Sequence, residues 1–403
     1  MNNSITNILN SEKVKQFIKS NSHISVQKIL LKYSGKTDLP IKEIAEQIEC
    51  RIKARKKLPA LSKHNLIYKK VSLEQASSEL TADFKSSRIN GKHIIDLTGG
   101  LGIDSIYFAN VFDKVIYCEL KKELCEIAEY NFNVLNINNI QIINGDGIEI
   151  LKNYEDNFFD WIYADPSRRN QMKRSVDIKF YTPDVIKNFE LLKSKTKNLM
   201  LKLAPAFDIT EAFKLFPALN EFSVVSVNNE CKEVLLFFNF EEKTKSLGKI
   251  KSAVMLHERE DAEYFSAGID ESREKQFADV SDKLYFYEPN AAIRKADLTK
   301  LIADKFKMKF VNPISDYLVS QKAINHFSGR KFKIEYTAIY NDKEIKKYLK
   351  EQNITKANIA RSNFPLKPEE IKEQFKLKDG GQHFLFFTTN CNGEKIFIDC
   401  LKF

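Results

Sequence analysis

The residues best suited to chemistry lie in one run, His93-Ile94-Ile95-Asp96-Leu97-Thr98-Gly99-Gly100-Leu101-Gly102-Ile103-Asp104. A strand-like apolar piece leads into a glycine-rich turn and then a helix-like piece. That arrangement lets a ligand approach bare backbone and meet a helix N-terminus. A dinucleotide fingerprint would need G-x-G-x-x-G, but Gly100-Leu101-Gly102 is followed three positions on by Ser105. Further acids close the next strand-like runs. Glu119 ends Val115-Ile116-Tyr117-Cys118-Glu119, where a carboxylate can accept both hydroxyls of a ribose. Asp146, in Asn144-Gly145-Asp146-Gly147, follows the third strand-like run. Asp165 opens Asp165-Pro166-Ser167-Arg168-Arg169. A lone strand-end Asp is usually a helix cap. Successive strands each delivering an acid to the carboxyl edge of a sheet, where open α/β sheets bind ligands, point to a site.

The elements that must position these acids alternate. Strand candidates are His93–Leu97, Lys114–Glu119, Ile140–Asn144, Trp161–Ala164, Asn198–Leu203, Phe222–Val227 and Glu233–Phe240. Between the first five lie helical stretches, Ile103–Val111, Lys121–Leu135, Gly147–Asn153 and Asp184–Lys193. This rhythm predicts βαβ units and a parallel sheet covered on both faces. Only a short turn near Asn228–Glu230 separates the last two strands, so that pair must be antiparallel. Residues 1–85 carry apolar positions at three-to-four spacing and read as a helical domain. An α/β domain occupies 86–245, a connecting segment 246–325, and a small α+β unit 326–403. Within 246–325 we expect strands at Ala253–Leu256 and Lys283–Tyr287 and one helix from Ala291 to Phe306. Asn390-Cys391-Asn392-Gly393 reads as a hairpin turn between the last two strands.

The loop resembles the D-x-G-x-G-x-G loop of class I S-adenosyl-L-methionine (AdoMet)-dependent methyltransferases, with Thr98 in the first glycine slot. The resemblance covers roughly 86–240 and implies a Rossmann-like, seven-stranded sheet whose last strand is antiparallel. It implies that Asp96, Thr98, Gly100, Gly102, Asp104, Glu119, Asp146, Gly147 and Asp165 hold AdoMet, and that Asp165, Pro166 and Arg168 present the methyl acceptor. Asp-Leu-Thr-Gly-Gly-Leu-Gly together with Asp-Pro-Ser-Arg-Arg is similar to a narrower bacterial group of RNA methyltransferases. Those carry a ferredoxin-like segment, which 283–325 resembles, and a C-terminal THUMP-like domain, which 326–403 resembles. The implied substrate is structured RNA, tRNA or rRNA. In base-amino methyltransferases the Asp165 motif reads Asp/Asn-Pro-Pro-aromatic. Here Ser167 and Arg168 replace the second Pro and the aromatic, so Arg168 stacks on a base or clamps a phosphate. A uridine-C5 reaction ranks second, since Leu201-Lys202-Leu203-Ala204-Pro205-Ala206-Phe207-Asp208 offers no cysteine nucleophile and Cys231 reads as structural. The related proteins also show a Glu-Gln-x-Ser-Ser-Glu run like Glu74–Glu79, a candidate lid over the cofactor; otherwise Ser72 or Thr81 would serve there as an N-cap.

Composition narrows the classes. The 403 residues are 43% hydrophobic and 29% charged, an ordinary globular balance that argues against a mostly disordered chain. No run reaches the roughly 18–20 apolar residues of a membrane helix. The first residues show no charged segment leading into an apolar one, so a cytoplasmic protein is expected. The six cysteines lie far apart with no CxxC pair, and the six histidines form no metal-like pair, so no metal is expected. The net charge is +10, and its distribution is informative: Arg51, Lys53, Arg55, Lys56, Lys57, Lys63, Lys69 and Lys70 fall in a stretch without Asp or Glu. Such a cluster attracts phosphate. With Arg169, the residues Arg51, Lys53, Arg55, Lys56 and Lys57 are the candidate RNA contacts, a solvated helix face being the alternative. Two other functions stay open: a non-catalytic RNA-binding protein on a methyltransferase fold, and a small-molecule methyltransferase.

Overall fold

A computed structural model describes residues 5–168, 181–241, 248–258, 260–271, 273–281 and 284–403. Arg169 and the side chain of Arg168 lie outside the described residues. The chain forms two compact units, Met1–Glu221 with Val234–Leu247, and Phe222–Glu233 with Gly248–Phe403.

In the first unit, helices α1 (Ile5–Asn10), α2 (Glu12–Asn21), α3 (Val26–Tyr33), α4 (Ile41–Lys57), α5 (Lys70–Gln75) and α6 (Glu79–Ser87) precede the sheet. Their apolar spacing buries Val14, Ile18, Ile29, Ile44 and Ile48 in the same cluster as Leu101, Ile106, Leu124 and Phe132. The helical segment and the glycine-loop face of the sheet thus share one core. Between a 3-10 turn at Leu61–Lys63 and α5 the chain has no regular structure, and its backbone polar groups must find partners. Two side-chain amides provide them. Asn131 accepts from the Ile67 N–H and donates to the Ile67 carbonyl, both at 2.9 Å. Gln47 accepts from the Tyr68 N–H at 3.1 Å and donates to its carbonyl at 2.5 Å. The α6 N-cap is Ser78, whose Oγ accepts from the Thr81 N–H at 3.3 Å. Neither expected cap serves: Ser72 sits inside α5 and Thr81 inside α6.

The sheet of this unit contains β1 (Gly91–Asp96), β2 (Phe112–Glu119), β3 (Ile140–Asn144), β4 (Phe159–Ala164), β5 (Thr196–Leu203) and the Val234–Asn239 part of β7 (Glu230–Asn239), β6 being the strand Glu221–Val227. Strand order is β3-β2-β1-β4-β5-β7. The first five are parallel, with Ile95 opposite both Ile116 and Ile162, and β7 runs antiparallel to β5. Ile94, Ile95, Ile162, Leu199, Met200 and Leu201 have no exposed surface, as strands covered on both faces require. Helices α7 (Ile103–Phe108), α8 (Lys122–Val134), α9 (Gly147–Leu151), α10 (Phe189–Lys195) and α11 (Ile209–Leu215) complete the α/β pattern. The Rossmann-like sheet with a closing antiparallel strand is the fold read from the sequence.

The second unit opens with the remainder of β6 and the tip of β7, joined by Asn228 and Asn229 at φ 52° and 64°. A positive φ at both central residues is the hairpin geometry that Asn tolerates. An antiparallel pair follows, β8 (Ile250–Leu256) with β9 (Glu263–Gly268). Beyond it come β10 (Tyr285–Pro289), β11 (Leu318–Ser320), β12 (Gly329–Ile339), β13 (Lys356–Arg361), β14 (Lys378–Thr389) and β15 (Lys395–Lys402). These form one sheet in the order β11-β10-β12-β15-β14-β13, with a two-residue strand, Lys309–Phe310, outside β11. Phe286, Phe332 and Phe386 stand at its centre, fully buried. The expected single helix Ala291–Phe306 is two, α12 (Ala291–Lys295) and α13 (Thr299–Phe306), because Asp297 takes a left-handed φ of 53°. Helices α14 (Asp342–Glu351) and α15 (Pro368–Phe375) pack on the other end. Among the described residues no helix is long and apolar enough to cross a membrane.

Asn131→Ala would leave the buried N–H and carbonyl of Ile67 without their partner. Each orphaned group costs about 1–3 kcal/mol, so urea unfolding should show a loss of a few kcal/mol with m unchanged.

Candidate active site

The glycine loop is fixed by its own backbone and by the next strand. Gly99 N–H donates to the Cys118 carbonyl and Gly102 N–H to the Gly99 carbonyl, both at 2.8 Å. Tyr117 reaches the Gly100 carbonyl at 2.6 Å. A Cβ at Gly99 would fall 2.1 Å from the Tyr117 ring, so only glycine fits there. Gly102 takes φ 75° at the start of α7, and a Cβ there would meet Phe132 at 2.6 Å. Gly147 is pressed against Leu97, whose carbonyl oxygen would lie 2.7 Å from a Cβ. Gly100 differs. At φ 56° its missing Cβ would stand in nearly open space, the nearest atom being the Thr98 carbonyl oxygen at 3.8 Å.

The predicted acids divide into two sets. Asp96 is 1% exposed and spends its carboxylate inside the loop, on the Thr98 N–H at 2.9 Å and the Ser105 hydroxyl at 2.7 Å. Burial pushes its pKa up to about 7, against the lowering effect of those two hydrogen bonds. Asp104 lies beneath the loop, accepting from Ser77 and Tyr163 hydroxyls at 2.9 Å each and paired with Lys85 Nζ at 3.2 Å. Burial would raise its pKa, but Lys85, Lys202 and the two hydroxyl donors outweigh burial and hold it below the usual carboxylate range. Asp96 and Asp104 thus spend their carboxylates on protein partners in and around the loop.

Glu119, Asp146 and Asp165 form the outer set. Glu119 is half-buried and accepts from the Gly100 N–H at 3.0 Å and the Lys121 N–H at 2.8 Å. Asp146 is exposed and caps α9 through one oxygen, taking the Ile148 N–H at 2.8 Å. It is a helix cap, with its second oxygen still open to a ligand. Asp165 is half-buried beside the buried Pro166, and its N–H donates to Thr98 Oγ1 at 2.7 Å, tying the end of β4 to the loop after β1. Thr98, in its glycine slot, is thus a crosslink. An open glycine flank beside carboxylates with acceptor capacity fits a ligand bearing hydroxyls and an amino group.

The sequence reading missed Lys85, Tyr163 and Lys202. Lys85 has no exposed surface, and its Nζ also donates to Ser77 at 3.1 Å. Within the Glu74–Glu79 run, Ser77 and Glu79 are buried while Glu74 and Gln75 are exposed, and Ser77 joins Lys85 to Asp104. Glu79 is 8% exposed and accepts from the Ala60 and Leu61 N–H groups at 2.8 and 2.7 Å. Lys202 did leave a signal, a cation within the apolar run Leu199-Met200-Leu201-Lys202-Leu203.

The basic stretch also changes character. Lys53 pairs with Glu49 at 3.0 Å and Glu74 at 2.5 Å, Lys70 with Glu49 at 2.9 Å, and Lys69 with Glu123 at 2.8 Å. Lys57 donates to the Leu73 and Glu74 carbonyls at 2.8 and 2.9 Å. Arg51 is half-buried, and burial lowers its pKa. Only Arg55, Lys56 and Lys63 of the cluster are exposed. The acids that offset this stretch come from outside it. Among the described residues no group of three or more His, Cys, Asp or Glu is placed to hold a metal ion.

A family model for RNA cap guanine-N2 methyltransferase matches residues 91–168, and a THUMP domain-like model matches 329–402. A crystal structure of a candidate methyltransferase from Porphyromonas gingivalis W83 shares 30% identity over 100% of both chains, with a TM-score of 0.85. The chain belongs to the class I AdoMet-dependent methyltransferases. Among other similar structures are a SAM-dependent methyltransferase from Aquifex aeolicus (18% identity, 40% of this chain and 91% of that one, TM-score 0.30) and TrmK of M. capricolum with S-adenosyl-homocysteine (16%, 40% and 68%, 0.31). No curated protein matches the chain. AdoMet is the methyltransferase's cofactor, and the open flank at Gly100 with the carboxylates of Glu119 and Asp146 fits it.

Because Asp96 titrates higher folded than the usual carboxylate value of about 3.9, it binds more protons in the native state between the two values. Its contribution to stability is full below the ordinary range and is lost as pH rises towards 7. Asp96→Asn keeps the loop's acceptor and stays neutral. Relative to wild type it should gain stability from acid to neutral pH, read by urea midpoints at several pH values.

Proposed function

We propose that this methyltransferase modifies a base in structured RNA, tRNA or rRNA, and that Asp165 orients the acceptor. The observation that carries this is the Asp165–Thr98 crosslink at 2.7 Å, which fixes the first residue of Asp165-Pro166-Ser167-Arg168 to the cofactor loop. Support for RNA comes from the THUMP-like segment and the RNA cap guanine-N2 methyltransferase match. When bound, AdoMet supplies an electrophilic methyl group, so alignment of the acceptor provides most of the rate. Glu119 takes the ribose hydroxyls and Asp146 the adenine amino group, while Gly100 lets the ligand lie against the loop. Asp165 accepts a hydrogen from the acceptor nitrogen. Pro166 keeps the turn after β4 rigid, and Arg168 stacks on the base or clamps a phosphate. Arg55 and Lys56 remain as RNA contacts, with Arg169 proposed from sequence alone. The non-catalytic and small-molecule readings have no observation of their own.

Calorimetry should show Glu119→Ala and Asp146→Ala weakening AdoMet binding at least about tenfold, roughly 1.4 kcal/mol. Asp165→Asn should keep AdoMet affinity and lower the rate of methyl incorporation into RNA by about 10²-fold. Unchanged affinity in both acid variants would remove the cofactor placement.

Affinity for RNA should fall with salt, at a slope of about 0.7–0.9 per phosphate contacted. Arg55→Glu and Lys56→Glu should each make that slope shallower, and filter binding at several salt concentrations reads it. A flat response in the wild type would argue against a nucleic-acid substrate.

A further inference from the structure

Asp165 has a partner the function has not yet used. The parallel ladder of β4 and β5 pairs Ala164 with Leu201, so Asp165 and Lys202 are the next residues along adjacent strands. Leu199, Met200 and Leu201 have no exposed surface and Leu203 has 2%, leaving Lys202 as an ammonium in an apolar strand. Such a group is costly unless compensated. Its Nζ makes a close ion pair with Asp165 Oδ2, the side chains being 12% and 36% exposed. Lys202 also acts on Asp104, which is paired with the fully buried Lys85. Four charges therefore alternate in sign, Lys85, Asp104, Lys202 and Asp165, on α6, α7, β5 and the end of β4.

Resting on the reading of Asp165 as the acceptor-orienting group, we propose that Lys202 is a positioning residue for methyl transfer. It pins one carboxylate oxygen of Asp165 and leaves the other, held in a fixed orientation, for the acceptor's N–H. The backbone of Asp165 is already held by Thr98, but a carboxylate still turns about its own side-chain bonds. Lys202 removes that freedom before the acceptor arrives, and pre-set orientation is where the rate of an alignment-limited transfer comes from. A lysine that merely neutralised a half-buried carboxylate would influence folding and leave the turnover of the folded enzyme alone. A lysine acting through Asp165 ties its effect on turnover to that carboxylate.

The test is a double-mutant cycle on the full chain, with labelled AdoMet and, as probe, total RNA from a strain lacking the protein. Lys202→Met should lower kcat by about 10²-fold while AdoMet affinity by calorimetry stays within about twofold, an effect made in the transition state and not in cofactor binding. Lys202→Arg, which restores the cation, should recover most of the rate, and it also serves if the Met variant folds poorly. Asp165→Asn combined with Lys202→Met should lose no more than the worse single change. Losses that multiply, or a Lys202→Met variant with wild-type kcat, overturn the proposal while the RNA methyltransferase reading stands. A wild type that transfers no label to RNA overturns that reading, and this proposal with it.

Discussion

An ammonium group with no exposure to water is the constraint around which the first unit is arranged. Lys85 is buried with Asp104 and Ser77 among the partners that meet its charge. Breaking such a buried pair from one side costs about 3–5 kcal/mol, more than most single contacts in a marginally stable fold. The pair joins α6 to the first turn of α7, the helix into which the glycine loop feeds. The cofactor loop therefore takes its shape from residues on both sides of β1, and the N-terminal helices are part of the site's foundation. The shared apolar cluster that runs from Leu9 to Phe132 says the same in terms of packing.

Much of this was legible from the sequence because the signals are local. Four strands ending in acids, a glycine turn and an antiparallel closing pair follow from alternation and short connections, and all are present. Boundaries moved by only a few residues, as at β1, which begins at Gly91 where His93 was expected. What could not be read depends on long-range pairing. Lys53 and Lys69 look free in a stretch without acids, yet Glu74 and Glu123 reach them from elsewhere. Asp96 and Glu119 look equivalent as strand-end carboxylates, but one is sealed under the loop and the other is half-open. The break at Asp297 was missed because the flanking residues keep helical spacing, and only the backbone angle marks the stop.

The charge balance carries a related lesson. A surplus of +10 over 403 residues is a property of the composition, whereas attraction for phosphate depends on which cations remain unpaired at the surface. Surface pairs such as Lys69–Glu123 add little to stability, but each cancels a charge that an approaching polyanion would otherwise sense. The field around α4 is correspondingly weaker than its sequence suggests, with Arg55 and Lys56 among its exposed cations.

A Cβ at position 99 would overlap the Tyr117 ring, and this has an evolutionary consequence. At 2.1 Å the two positions compete for one volume, so neither can drift independently. Any lineage that acquired a side chain at position 99 would first have had to shrink or displace the aromatic at 117. That aromatic also holds the Gly100 carbonyl, so such a lineage would have to rebuild the loop by another route. The two positions should therefore be inherited as a single character, changing together or not at all.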